Sequence, residues 1–151
     1  MKIAIVTGAS SGMGKQFCYA LDNLEKYVSK KKVIKFDEIW VIARRKELLE
    51  NLKQELKTNV RVIPLDLTKN ESFDQLKEML ETEKPDIKYL VNASGFGKFK
   101  KSDEISIEDQ IGMVDLNVKS LMVITNMCLE YMSKGSKIVE ISSQSAWQPI
   151  P

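Results

Sequence analysis

Histidine is absent from the 151 residues, which excludes His-based triads and most zinc sites within this chain. Cysteine is scarce. Cys18 and Cys128 both fall among apolar residues of helical pattern and read as buried thiols in a reduced cytosol. Neither sign of charge dominates: 23 Lys and Arg stand against 21 Asp and Glu, a net of +2. Nothing there calls for nucleic acid or an acidic partner. The run Lys30-Lys31-Lys32 is short, sits near acidic residues and reads as a solvated face. No apolar run approaches the roughly 20 residues that span a bilayer, and Met1-Lys2 leads straight into a strand pattern, so neither a membrane span nor a signal peptide is expected. Only 4 prolines and 7 glycines occur, with no repeat, low-complexity tract or second-domain linker. The length suits a single domain over 1–151, and the setting read from it is cytoplasmic.

What the chain does have is a glycine-rich stretch, Thr7-Gly8-Ala9-Ser10-Ser11-Gly12-Met13-Gly14, between an apolar run and a helical pattern. Strand, glycine turn and helix together aim backbone N–H groups and the positive end of a helix dipole at a bound phosphate. A P-loop is excluded, because Ala9 stands where its first Gly belongs and Gln16 where its hydroxyl belongs. Strand and helix patterns then alternate: strands over 2–6, 38–43, 60–64, 86–91 and 137–141, and helices over 12–28, 45–57, 72–83 and 107–132. The run Ile39-Trp40-Val41-Ile42 is apolar throughout, as in a parallel strand buried on both faces. This alternation predicts an α/β fold with a Rossmann-like, doubly wound parallel sheet in the order 3-2-1-4-5.

Thr-Gly-x-x-x-Gly-x-Gly, rather than the literal G-x-G-x-x-G, resembles the short-chain dehydrogenase/reductase family, and the resemblance continues along the whole chain. Sugar-nucleotide epimerases on the same fold usually place a glycine where Ser11 stands, which argues against them. The resemblance implies a cofactor turn at Thr7, Gly8, Ser10, Ser11, Gly12, Met13 and Gly14. It makes Asp66, followed by Leu67 and Thr68, the residue that bonds the adenine amino group; a turn or N-cap role for Asp66 is compatible with this. Asn92-Ala93-Ser94-Gly95 resembles the family's Asn-Asn-Ala-Gly, departing at its second and third positions, and would hold the central strand and line the cofactor. Asn117 matches the helix asparagine that kinks its helix and positions a relay water. Ser143 matches the serine that bonds the substrate carbonyl, with Ser142 as the competing assignment.

Arg44 bears on the choice of nucleotide. A ribose 2′-hydroxyl asks for a carboxylate at the end of the second strand, whereas a guanidinium suits a 2′-phosphate. Asp37 and Glu38 lie at the wrong end of that strand, and Ser10 and Lys15 offer further donors. NADP(H) is therefore preferred over NAD(H). Arg45 reads as an exposed helix-start residue. Thirty residues separate Gly14 from Arg44 against about 20 in the usual pattern; the excess maps to 26–36 as a lengthened helix end and surface loop, which costs little.

The implied activity is hydride transfer between nicotinamide and a small-molecule carbonyl or alcohol. The family's acid is a Tyr in Tyr-x-x-x-Lys about a dozen residues past the serine, the ammonium lowering a phenol pKa of about 10. That position falls just past Pro151. Tyr27-Val28-Ser29-Lys30-Lys31 contains the spacing, but at the end of the first helix, far from the edge where nicotinamide must lie. The fifth strand is expected as an exposed apolar edge. Two explanations follow: the N-terminal portion of a longer reductase lacking its last strands, favoured by the mid-loop end Gln148-Pro149-Ile150-Pro151, or a short module that binds nucleotide without turnover. Family members commonly form homo-oligomers through the helices after the fourth and fifth strands. The first of these carries Met113, Met122, Met127 and Met132, a pattern more typical of core than of interface, so the oligomeric state stays open.

Overall fold

The structure, a computed structural model, describes residues 1–29 and 33–143. The Lys30-Lys31-Lys32 run, the lysine of the Tyr27 pattern and the Gln148-Pro149-Ile150-Pro151 end lie outside the described residues. In chain order the elements are β1 (Lys2–Thr7), α1 (Gly12–Asp22), β2 (Glu38–Ala43), α2 (Lys46–Glu55), β3 (Val60–Pro64), α3 (Asn70–Glu83), β4 (Asp86–Asn92), α4 (Ile107–Val114), α5 (Ser120–Leu129) and β5 (Met132–Glu140). All pairings are parallel and the strand order is β3-β2-β1-β4-β5. The Rossmann-like arrangement expected from the alternation is therefore present.

Strand periodicity sorts the core into two layers. Ile3 and Ile5 of β1 join Trp40 and Ile42 of β2 and pack with Leu76, Leu80, Ile124 and Cys128 from α3 and α5. Ala4 and Val6, with Ile39 and Val41, face the other way onto Cys18, Leu21, Leu49 and Leu52 from α1 and α2. Successive side chains point to opposite faces of a strand, so only an unbroken apolar run can serve helices on both sides. Among the described residues no helix is long and apolar enough to cross a membrane.

Several boundaries differ from the sequence expectation. The helix read over 12–28 stops at Asp22, where Asn23 leaves helical geometry (φ −123°) and a short 3₁₀ turn follows at Leu24–Lys26. Asp22 accepts hydrogen bonds from the Lys57 and Thr58 N–H groups, so the end of α1 is fixed by the loop after α2. The helix read over 107–132 is interrupted by a π-turn at Asp115–Lys119 and ends at Leu129. Ile87 N–H already bonds the Tyr131 carbonyl, which makes Met132 a strand residue. The ladder then skips from Met132 opposite Ile87 to Lys137 opposite Tyr89, so continuous pairing starts at Lys137 as expected. Ile111, Val114, Val118, Met122 and Leu129, expected on the apolar face of that helix, are at least half exposed. The buried face is Ser120, Ile124 and Cys128.

Register positions the site. Thr7 lies level with Ile42 on one side and Asn92 on the other; Ala43 lies level with Pro64, and Asn92 with Glu140. The segments leaving five strands thus emerge along one edge. The crevice opens at β1, where the chain winds both ways, which is where open α/β sheets hold ligands.

Candidate active site

The turn after β1 is shaped by close backbone approach. Thr7 is 1% exposed, and its Oγ1 accepts from the Ala93 and Ser94 N–H groups at 3.1 and 3.2 Å. This ties the end of β1 to the end of β4. Gly8 turns with φ +66°, and a Cβ there would stand 2.5 Å from the Ala93 carbonyl oxygen; a Cβ on Gly14 would stand 2.4 Å from the Gly8 oxygen. These two glycines let β1, β4 and α1 meet. Ser11 sits in the N-cap position of α1, yet its side chain makes no capping bond, and the first turn of the helix holds no acidic residue. The positive end of α1 is therefore unmatched by its own side chains.

A cleft of about 320 Å³ lies over this turn, lined by residues 8, 10–13, 43–45, 65–67 and 93–95 with Leu116. Of the residues read from the sequence as cofactor-binding, Gly8, Ser10, Ser11, Gly12, Met13, Arg44, Asp66, Leu67, Ala93, Ser94 and Gly95 line it. Thr7, Gly14 and Asn92 lie buried beneath. Asp66 Oδ1 accepts from the Thr68 N–H at 3.1 Å and the Thr68 hydroxyl at 2.8 Å. Burial pushes this carboxyl up, but those bonds and the Arg44 charge outweigh it and hold it below its usual value. Asp66 is thus the turn residue of the structural reading and a wall of the cleft at once.

Arg45 is the exposed helix-start residue expected, at the N-cap of α2, and in addition directs Nη2 to the Ser10 and Ser11 hydroxyls at 3.1 and 3.0 Å. Its backbone is extended (φ −86°, ψ 90°) at the N-cap position of α2. The Arg-Arg doublet after β2 was the available signal. Lys15 does not face the turn: it pairs with Glu55 at 3.2 Å and lies over the Tyr19 ring, so it is not a donor to the cleft. Glu38, at the far end of β2, is engaged by Arg61 and the Trp40 indole.

A second, larger pocket of about 1120 Å³ shares Met13 and residues 93–95 with the cleft and runs along 96–102 to Asn117, Glu140 and 141–143. Asn117 stands in the π-turn, where a wider ring than the α-helical one distorts the helix. Its amide is doubly bonded to one residue: the Phe96 N–H donates to Oδ1 at 3.0 Å, and Nδ2 donates to the Phe96 carbonyl at 2.8 Å. The Ile141 N–H bonds the Asn92 carbonyl at 3.1 Å, carrying the ladder one residue past β5 and bringing Ser142 and Ser143 to the pocket wall. Glu140, not singled out from the sequence, has Oε1 bonded by the Thr125 hydroxyl at 2.8 Å and Asn92 Nδ2 at 3.3 Å. The Asn92 Oδ1 is buried with no hydrogen-bond partner among the described residues.

The residues present fit a dinucleotide. Gly12 has φ +55° with open space where a Cβ would be, and the unmatched helix N-terminus lies beside it for a diphosphate. Arg44 and Arg45 line the cleft, which shares Met13 and residues 93–95 with the larger pocket.

Comparison with known proteins agrees with this geometry. The short chain dehydrogenase family matches residues 2–151. An uncharacterized oxidoreductase of Staphylococcus epidermidis is 27% identical over 150 residues, covering 98% of this chain and 60% of the relative. One from Staphylococcus aureus is 27% identical, with 97% and 60% covered. The chain thus spans about 60% of the length of these curated relatives. Among solved structures, the serine dehydrogenase of Escherichia coli superposes with a TM-score of 0.76 at 26% identity, covering 99% of this chain and 65% of that one. A closed form of serine dehydrogenase complexed with NADP+ gives 0.77 at 27%, covering 98% and 56%. With its glycine turn, its sheet order and a family match from residue 2 to residue 151, the chain belongs to the short chain dehydrogenase family.

Proposed function

We propose that this chain carries the cofactor-binding part of an NADP(H)-dependent oxidoreductase that interconverts a small carbonyl compound and its alcohol. The observation that carries the reading is Arg45 bonded to Ser10 and Ser11 beside Arg44 in the cleft. A guanidinium and two hydroxyls offer the charge and donors a 2′-phosphate needs, and nothing specific to a 2′-hydroxyl. When bound, the nicotinamide supplies or accepts the hydride.

The chain's own residues would act as follows. Backbone N–H groups at residues 10–14 hold the diphosphate, Asp66 takes the adenine amino group, and residues 92–95 form the floor. Ser143 donates to the substrate carbonyl oxygen, where negative charge grows as hydride arrives; Ser142 is the competing donor. Asn117 is a positioning residue, anchoring the loop at Phe96 beside that serine. The family's Tyr-x-x-x-Lys would fall just past Pro151; the alternative reading is nucleotide capture without turnover.

Titration with NADPH and with NADH, followed by nicotinamide fluorescence, tests the proposal. The expected result is tighter NADPH binding by about tenfold or more, abolished by Arg44→Asp. Equal affinities would overturn the NADP(H) preference, and no binding of either would overturn the nucleotide site in this chain. A Tyr-x-x-x-Lys in the reading frame after Pro151 would support the first reading, and a stop codon there the second.

A further inference from the structure

The wall of the larger pocket is unevenly charged. Residues 95–101 read Gly-Phe-Gly-Lys-Phe-Lys-Lys, and Lys98, Lys100 and Lys101 all line it. The near end of this loop is fixed by the two hydrogen bonds between the Asn117 amide and the Phe96 main chain. The Phe96 ring lies against Gly112, where a Cβ would come within 3.4 Å of it. Lys98 meets Asp109 at 3.5 Å, so its charge is balanced.

Lys100 and Lys101 have no ion pair among the described residues. Asp103 and Glu104 follow them in the chain but do not line the pocket. Among the described residues the lining carboxylate is Glu140, one oxygen of which is taken up by Thr125 and Asn92. The same lining includes apolar groups: Phe96, Phe99, Met113 and Leu121.

A neutral apolar guest would desolvate these ammonium groups without replacing what they lose. A guest with an anionic group gains charge-assisted bonds, and the local potential raises its concentration near the pocket. We infer that the carbonyl compound admitted here carries an anionic group on an apolar body, the anion met by Lys100 and Lys101 and the body by Phe96, Met113 and Leu121. This rests on the cleft and pocket being cofactor and substrate sites, as proposed above.

The test is an NMR titration of the 151-residue chain with NADPH present, following the Gly95, Gly97 and Phe99 amides. Benzoylformate, an aromatic keto acid, is compared with its neutral methyl ester. Benzoylformate is expected to saturate these shifts at about tenfold lower concentration, the effect of one charge-assisted bond. The Lys100→Gln/Lys101→Gln variant should bring the two probes to within about twofold while NADPH affinity stays unchanged. Equal binding of the probes, discrimination that survives the double substitution, or no response from the loop would each overturn the inference. NADPH binding without charge discrimination overturns this inference alone, whereas loss of NADPH binding removes the site on which it rests.

Discussion

Gly8 and Gly97 belong to the same rim of the molecule, yet they answer to different constraints. An alanine methyl at Gly8 would sit 2.5 Å from a main-chain oxygen at φ +66°, while at Gly97 nothing lies within 4 Å. Gly8→Ala should therefore lower stability by about 2–3 kcal/mol, because backbone cannot move aside as a side chain can. Gly97→Ala should change it by less than about 0.5 kcal/mol; urea unfolding of both variants gives the comparison. Arg45→Ala should raise the NADPH dissociation constant about tenfold and leave NADH nearly unchanged, as nicotinamide fluorescence would report. Burial pushes the Cys18 and Cys128 thiols up to about 12. Neither is expected to react with a thiol reagent at pH 8 until the chain is unfolded.

The helical stretch from Ile107 to Leu129 shows how an element divides its labour. Ile124 and Cys128 are fully buried against the sheet, whereas Val114, Val118 and Met122 are 60%, 59% and 54% exposed. Ile124→Ala should cost about 2–5 kcal/mol through the cavity it leaves, and Val118→Ser within about 0.5 kcal/mol, read from the shift in urea midpoint. Between the two faces, the π-turn carries Asn117 to the Phe96 main chain. Asn117→Ala removes both bonds. The Phe96 amide should then exchange with solvent about tenfold faster, with little change in the global midpoint.

Across the whole molecule, acid stability is set by carboxylates and not by histidine, which the chain lacks. Burial raises the Asp22 carboxyl, but the Thr58 and Lys57 groups bonded to it outweigh that and leave it lowered. Asp66 is lowered likewise by Thr68 and Arg44. At Asp86 the Lys88 hydrogen bond leads and burial opposes it. A folded pKa below the unfolded one means the stabilisation is complete above the unfolded value, 3.8, and is lost as pH falls through the folded value. Melting temperature should be nearly flat from about pH 8 to 5 and fall below about pH 4. Asp22→Asn should make that fall shallower.

The strand and helix order, the parallel sheet and the glycine turn were legible in the chain because each depends on short-range pattern: apolar runs for doubly buried strands, and small residues where backbones must touch. Thr7, Gly8 and Gly14 could be recognised from the spacing of the turn, although the Ala93 and Ser94 backbone that Thr7 and Gly8 meet is distant in the chain. The direction of a long side chain depends on dihedrals and partners that spacing does not encode. Arg45 reaches Ser10 and Ser11, 35 and 34 residues away in the chain, and Lys15 is held away from the cleft by Glu55 and the Tyr19 ring. The exposed faces of α4 and α5 were hidden for a similar reason: an apolar residue in a helix pattern says that burial would be favourable, and only packing decides which face receives it. Sequence thus determined the fold and the edge on which the site lies, and tertiary structure decided which charges line it, because electrostatic contacts form between groups that the folded chain, not the chain order, brings together.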